Sequence, residues 1–273
     1  MNIVVCVKYV PDATADRRFE ADNTVDRDGV DGLLSELDEY AVEQSLQVKE
    51  KLASTDGGDS TVTVLTVGPD QATDAVRKAL QMGADKGVHV CDEAIAGSDY
   101  VGTSLVLAEA VRKIGAADGW DLVVCGMAST DGSGGVVPAM LAERLDVPAV
   151  TLASEVTVEG AGAGGTVRIR RDGDVATETI EGTLPLVLSV TDQSGEARYP
   201  SFKGIMAAKK KPLETWSLAD LGLDAEMVGL SASWTVVEDT AARPPRTQGQ
   251  IVTDEDGSGA AALVDFLAAK KFI

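Results

Sequence analysis

The stretch Leu122–Leu145, LVVCGMASTDGSGGVVPAMLAERL, decides the fold. It opens on an apolar run that ends at Gly126 and passes through a loop rich in Asp and Gly. It closes on Val137, Met140, Leu141 and Leu145, apolar positions at helical spacing. Pro138 has no N–H to give and fits only the first turn of a helix, so the helix is predicted to start close to Gly134–Val137. The loop Asp131-Gly132-Ser133-Gly134-Gly135 then sits at the carboxyl end of a strand and the amino end of a helix. Free N–H groups and the positive end of the helix dipole converge there, and glycine lets a ligand come close to the backbone. A phosphate suits that geometry. A tight turn with no ligand is the other reading, and the loop alone leaves both open.

Upstream, strand and helix signals alternate. Asn2–Val10 reads as one β-branched run ending at Pro11. Leu34, Leu37, Ala41, Val48 and Leu52 recur at helical steps. Thr61–Val67 is a second strand closed by Gly68-Pro69, and a helix through Ala72, Ala75, Val76, Ala79 and Leu80 stops at Gly83. Lys86–Cys91 is a third strand, Thr103–Ile114 a helix ending at Gly115, and Asp121–Cys125 a fourth strand. Strands regularly separated by helices predict an α/β fold with a doubly wound, mostly parallel, Rossmann-like sheet. Such a sheet holds ligands where its strand order reverses, which puts Cys6 and Lys8 near the crevice if the first strand is central. On strand character alone Cys6 reads as a packing residue.

The pattern changes after about Thr151. Ser154–Glu159, Thr166–Arg171 and Val175–Glu181 read as a small antiparallel insertion with glycine-rich turns. Leu184–Val190 is an apolar run able to rejoin the main sheet. Beyond Asp192 the sequence is irregular until a final helix at about Ser258–Lys271. The expected organisation is an α/β domain over 1–192 and an extended C-terminal arm over 193–273 that packs on a partner.

Composition narrows the function. Net charge is −20, with 44 acidic residues against 24 basic ones, which disfavours nucleic acid and anionic membrane surfaces as partners. The acids are spread along the chain, as on a surface adapted to concentrated salt. No apolar run approaches the ~20 residues needed to cross a bilayer, and MNIVVCVKYV reads as a strand rather than a signal peptide, so a cytoplasmic location is expected. Cys6, Cys91 and Cys125 make no C-x-x-C pair, and the single histidine, His89, lies in a strand-like run; no metal site is expected. The first βα connection, Tyr9-Val10-Pro11-Asp12-Ala13-Thr14, carries neither G-x-G-x-x-G nor a Walker lysine. With no acid–base pair or nucleophile–histidine pair either, no catalytic residue is assigned.

Several segments in order resemble the beta subunit of electron-transferring flavoprotein and the similar FixA-type proteins. They are VCVKYVPD at 5–12, ELDEYAVEQSLQVKEK at 36–51, TVLTVGPDQATDAVRKALQMGADKGVHV at 63–90, the stretch 121–156, and EARYPSFKGIMAAKKKPLETWSLADLGL at 196–223. The resemblance implies an electron carrier rather than an enzyme, in a heterodimer whose alpha subunit holds the redox FAD. It implies an adenine nucleotide in this subunit, AMP in ordinary members and a second FAD in electron-bifurcating ones. Carried over, the nucleotide site falls on Cys6, on Ser35, Glu36, Leu37 and Asp38, on Val67, and on Ala128–Ala139. The last group includes Ala128, Thr130, Asp131, Gly132, Ser133, Gly134, Gly135, Val136 and Val137. The family's Asn-Pro before the first helix is Ser35-Glu36 here, and its Gln-x-x-Asp-x-Asp loop reads Ala128-Ser129-Thr130-Asp131-Gly132-Ser133.

The segment Arg198-Tyr199-Pro200-Ser201-Phe202-Lys203 matches the family's recognition loop, which docks on acyl-CoA and related dehydrogenases. Arg198, Tyr199, Phe202 and Lys203 are the docking candidates, with Phe202 at the position of the family's leucine anchor; a local core role for Phe202 is the alternative. Lys209–Lys211 reads as a complement to a helix C-terminus. The implied partners are the alpha subunit, dehydrogenases and a quinone-linked or other acceptor. A stand-alone nucleotide-sensing module of the universal-stress type is the competing function, and the long tail from Glu196 argues against it.

Overall fold

The computed structural model describes residues 1–15, 18–27, 29–55, 59–241, 244, 249, 251–254 and 256–273. Chain order runs β1 (Asn2–Cys6), β2 (Tyr9–Pro11), β3 (Gly32–Leu34), α1 (Glu36–Thr55), β4 (Thr61–Val67), α2 (Thr73–Met82), β5 (Lys86–Val90), α3 (Tyr100–Ile114), β6 (Leu122–Gly126) and α4 (Val137–Leu145). It continues with β7 (Ala149–Ala153), β8 (Glu155–Glu159), β9 (Thr166–Asp172), β10 (Thr177–Thr183), β11 (Leu186–Val190), α5 (Phe202–Ala208), β12 (Leu213–Trp216) and α6 (Gly259–Ala269).

Among the described residues seven strands form one sheet in the order β12-β5-β4-β1-β6-β11-β7, and every pairing in it is parallel. Strand alternation sends successive side chains to opposite faces. Ile3 and Val5 join the core with α1 and α2, while Val4 and Cys6 join the core with α3 and α4. Helices thus cover both faces, as the alternation of signals predicts. β8, β9 and β10 form the expected antiparallel sheet, and Val158, Val167 and Ile169 pack it onto the α1 side. The run near Leu184–Val190 does rejoin the main sheet, as β11 between β6 and β7.

Two elements differ from expectation at the strand-one end. The run through Val10 is broken, because the Lys8 N–H donates to Asp38 Oδ2 at 2.8 Å instead of continuing the ladder. The chain then turns into β2, which pairs antiparallel with β3. That pairing takes Leu34 out of the first helix and into a strand. Edge strand β12 pairs with β5, Leu213 facing Gly87; its four residues are half-exposed and too short to signal themselves in sequence. Residues 193–238 share the compact unit Met1–Glu238 with the sheet. Asp239–Ile273 forms a second unit, whose helix α6 buries none of its residues.

Candidate functional site

Strand order reverses between β1 and β6, since the chain adds β4 and β5 on one side and then crosses to β6. One side chain lies against both carboxyl ends. Asp38, in the first turn of α1, accepts from the Lys8 N–H at 2.8 Å and lies close against Gly126, whose amide also favours the ionised carboxyl. Burial pushes its carboxyl up to about 7, against the pull of those two amides and of Lys8. Gly126 has no room for a side chain: a Cβ there would lie 2.5 Å from Asp38 Oδ1 and 2.7 Å from the Leu37 carbonyl oxygen. Asp38 and Leu37 thus form the floor of the crevice.

Above that floor lies the loop of 127–136. Gly132, Ser133, Gly134, Gly135 and Val136 are exposed, and left-handed backbone at Ser133 (φ 50°) and Gly135 (φ 65°) turns the chain into α4. No side chain caps α4, whose first turn holds Val137 and Pro138, so the first amides of this helix are left to water or a ligand. The Tyr100 hydroxyl donates to the Gly132 carbonyl at 2.9 Å and steadies the loop. A Cβ on Gly134 would meet the same tyrosine at 2.3 Å.

Asp131 is the loop's inward anchor. Its side chain is 2% exposed and bridges Lys8 Nζ at 2.9 Å and Arg27 Nη2 at 2.7 Å. Burial opposes its ionisation, but Lys8, Ser129 and Arg27 outweigh burial and hold the carboxyl well below the usual range. Lys8 is lowered by burial and by Arg27 and raised by Asp131, for a net fall. Two cations thus share Asp131 close to the N-terminus of α4, with Asp38 also drawing on Lys8. Cations beside free helix amides are groups able to face an anion.

The remaining candidates divide. Cys6 is buried against Cys125 at the ends of β1 and β6, and Val67 closes β4 at the same edge of the sheet. Ser35 is fully buried; its N–H donates to the Lys8 carbonyl at 2.9 Å, and its Oγ has no hydrogen-bond partner among the described residues. Ala128 and Thr130 are half-buried in the loop. Glu36 is exposed and lines a cavity of about 340 Å³ with Leu33, Leu34, Glu39, Asp74 and Lys78, none of which belongs to the loop. Arg27 escaped sequence reasoning because it lies in an aspartate-rich connection with no periodicity, 104 residues from its partner. His89 is 2% exposed and spent on the Gly68 carbonyl at 3.0 Å and Thr73 Oγ1 at 3.1 Å.

In the recognition segment Tyr199 is 92% and Phe202 81% exposed, so Phe202 is not a core residue. Lys203 is exposed beside them. Arg198 points the other way, onto Glu43 and Glu50 of α1.

Fold and site define a doubly wound α/β protein with two cations and an uncapped helix start at its switch point and an exposed apolar prong at its surface. Comparison with known proteins is specific. The electron transfer flavoprotein domain matches residues 22–221. The chain is 45% identical over 273 residues to the electron transfer flavoprotein subunit beta of Mycobacterium tuberculosis, covering 100% of this chain and 99% of the relative. It is 33% identical over 273 residues to the protein FixA of Azotobacter vinelandii, covering 100% and 95%. It is also 33% identical over 274 residues to the caffeyl-CoA reductase-Etf complex subunit CarD of Acetobacterium woodii, covering 100% of each.

The chain belongs to the electron transfer flavoprotein family, among its beta subunits, and its function is electron transfer. The nucleotide-sensing alternative is not favoured. Among the described residues no helix is long and apolar enough to cross a membrane.

Proposed function

We propose that this chain pairs with an alpha subunit in the cytoplasm, accepts electrons from dehydrogenases such as those of fatty acid β-oxidation, and passes them to a quinone-linked acceptor or another oxidoreductase. The flavin, held mainly by the alpha subunit, carries the electrons when bound. This chain binds an adenine nucleotide, AMP or a second FAD, and supplies the docking surface. The Lys8–Asp131–Arg27 cluster beside the uncapped α4 carries the nucleotide reading. Those residues fit a phosphate: Lys8 and Arg27 oppose its charge, the amides of Gly134–Val137 donate to its oxygens, and Asp131 fixes both cations. Ser35, Leu37, Asp38, Cys6 and Val67 shape the crevice rather than ligate the phosphate. Glu36 is the candidate least placed to take part.

Tyr199, Phe202 and Lys203 form the dehydrogenase-docking surface, a large apolar anchor with a basic neighbour. The uncovered Leu263, Val264 and Phe266 of α6 support a C-terminal arm that packs on the alpha subunit.

The test is to purify the heterodimer and assay its nucleotide and flavin. Lys8→Met removes one cation from the phosphate and is expected to weaken nucleotide retention about tenfold or more, a loss of ~1.5 kcal/mol for a charged hydrogen bond. Flavin content of the alpha subunit should be unchanged. A heterodimer carrying no flavin at all rejects the carrier reading; Lys8→Met retaining nucleotide like the parent rejects the phosphate site.

The acidic surface makes a separate prediction. With −20 net charge and no acidic tail to concentrate it, self-repulsion is screened only by added salt. The thermal midpoint is expected to fall as KCl is withdrawn from about 2 M to about 0.1 M, over which the Debye length grows several-fold. A midpoint that stays level or rises removes the case for salt adaptation.

A further inference from the structure

Arg198 begins the exposed segment, yet its side chain is committed within the chain. Nε donates to Glu43 Oε2 at 2.6 Å and Nη2 to Glu43 Oε1 at 3.0 Å. Nη1 and Nη2 donate to Glu50 Oε1 and Oε2 at 2.6 and 3.1 Å. Its backbone N–H adds a bond to Glu43 Oε2 at 3.2 Å. Glu43 is 5% exposed and is itself steadied by Gln47 Nε2 at 2.8 Å. Burial opposes ionisation of Glu43, and the guanidinium fork outweighs it, so the carboxyl is held below its usual range. Glu43, Gln47 and Glu50 follow one stripe of α1, three and four residues apart, which lets one planar guanidinium bridge two carboxylates.

The segment is pinned at its other end as well. Ser201 Oγ caps α5 by accepting from the Gly204 N–H at 3.0 Å. Gly204 lies so close to the end of α2 that a Cβ would approach the Gln81 carbonyl oxygen to 2.5 Å. Lys211 Nζ reaches the Leu80 carbonyl at 2.9 Å. Between the two attachments Pro200 restricts the backbone, and Tyr199 and Phe202 stand out into solvent. A flexible loop with two exposed aromatic side chains would have to be ordered at each encounter; one mounted at both ends has that ordering done in advance.

We propose that Arg198 is a positioning residue: clamped by Glu43 and Glu50, it holds Tyr199 and Phe202 in docking geometry and does not itself touch the dehydrogenase. The proposal rests on the docking reading of Phe202. It gives Glu43 and Glu50 of α1 a role in that geometry.

The experiment uses the intact heterodimer with an acyl-CoA dehydrogenase as electron donor, and compares Arg198→Met, Arg198→Lys, Glu50→Gln and Phe202→Ala. Two quantities are read: amide exchange at Gly204 and Ile205, and KM with kcat for the dehydrogenase. Arg198→Met is expected to speed exchange and to raise KM about tenfold with kcat within about twofold, because a misplaced anchor weakens encounter and leaves the chemistry alone. Arg198→Lys should restore less than half of the loss, since an ammonium cannot span both carboxylates. Glu50→Gln, on an exposed side chain, gives a smaller shift in the same direction and remains informative if Arg198→Met folds poorly.

Unchanged KM in Arg198→Met while Phe202→Ala raises it overturns the clamp and keeps the docking reading, whether or not exchange quickens. No change of KM in Phe202→Ala brings down the docking reading and the clamp with it.

Discussion

Phe202→Ala is expected to raise the KM for an electron-donating dehydrogenase about thirtyfold, with the heterodimer intact. Phe202 is 81% exposed at the first position of α5, so truncation leaves no cavity and little folding cost. On the proposed docking role it removes an apolar anchor, and such anchors are worth about 2 kcal/mol or more, the thirtyfold just given. The effect belongs in KM because losing an exposed anchor weakens encounter and leaves the electron-transfer step alone. Steady-state kinetics, together with gel filtration of the heterodimer, checks it. Dissociation of the heterodimer would move Phe202 from dehydrogenase docking to subunit assembly.

Gly126→Ala is expected to destabilise the chain by about 3 kcal/mol, the upper part of the range for overpacking a closed site. A side chain at this position meets Asp38 Oδ1 at 2.5 Å and the Leu37 backbone at 2.7 Å. The Leu37 contact is backbone at the start of α1 and has no rotamer by which to escape. Relief requires α1 to retreat from β6, which pulls Asp38 away from the Lys8 N–H beyond the end of β1. The crevice floor then opens and nucleotide affinity falls with stability. Chemical unfolding of parent and variant measures the first effect, and nucleotide content of the purified heterodimer measures the second. An unfolding midpoint equal to that of the parent would show that the floor is loosely packed.

The proposed phosphate site places its cations by a fixed arrangement of charge around the loop. Neither Lys8 nor Arg27 is free to wander, since Asp131 holds both. The carboxylate that a reader of the loop would take for a ligand is 2% exposed and serves instead to orient cations. Helix α4 contributes direction through its uncapped amides.

Some of this was legible locally. β4 occupies Thr61–Val67, the predicted bounds, because Gly68-Pro69 ends the run. α2 and α3 stop before Gly83 and Gly115, and Pro138 placed the start of α4 within a residue or two. α5 was signalled only at its end, by Lys209–Lys211 read as a complement to a helix C-terminus, and β12 was not legible. They carry seven and four residues, below the length at which periodicity speaks, and both exist because α2 and β5 offer surfaces to pack and pair on.

The sequence by itself determined the doubly wound class, the position of the glycine-rich loop between strand and helix, and membership of the flavoprotein family. These follow from local signals: apolar periodicity, glycine and proline placement, and ordered motifs along one chain. Tertiary structure alone decided that Asp38 accepts from the Lys8 N–H and packs against Gly126, that Arg27 meets Asp131, and that Arg198 turns inward onto Glu43 and Glu50. Those pairings join residues far apart in the chain, and no local pattern encodes them. Strand order and helix packing bring the partners together, and burial of opposite charge then holds them.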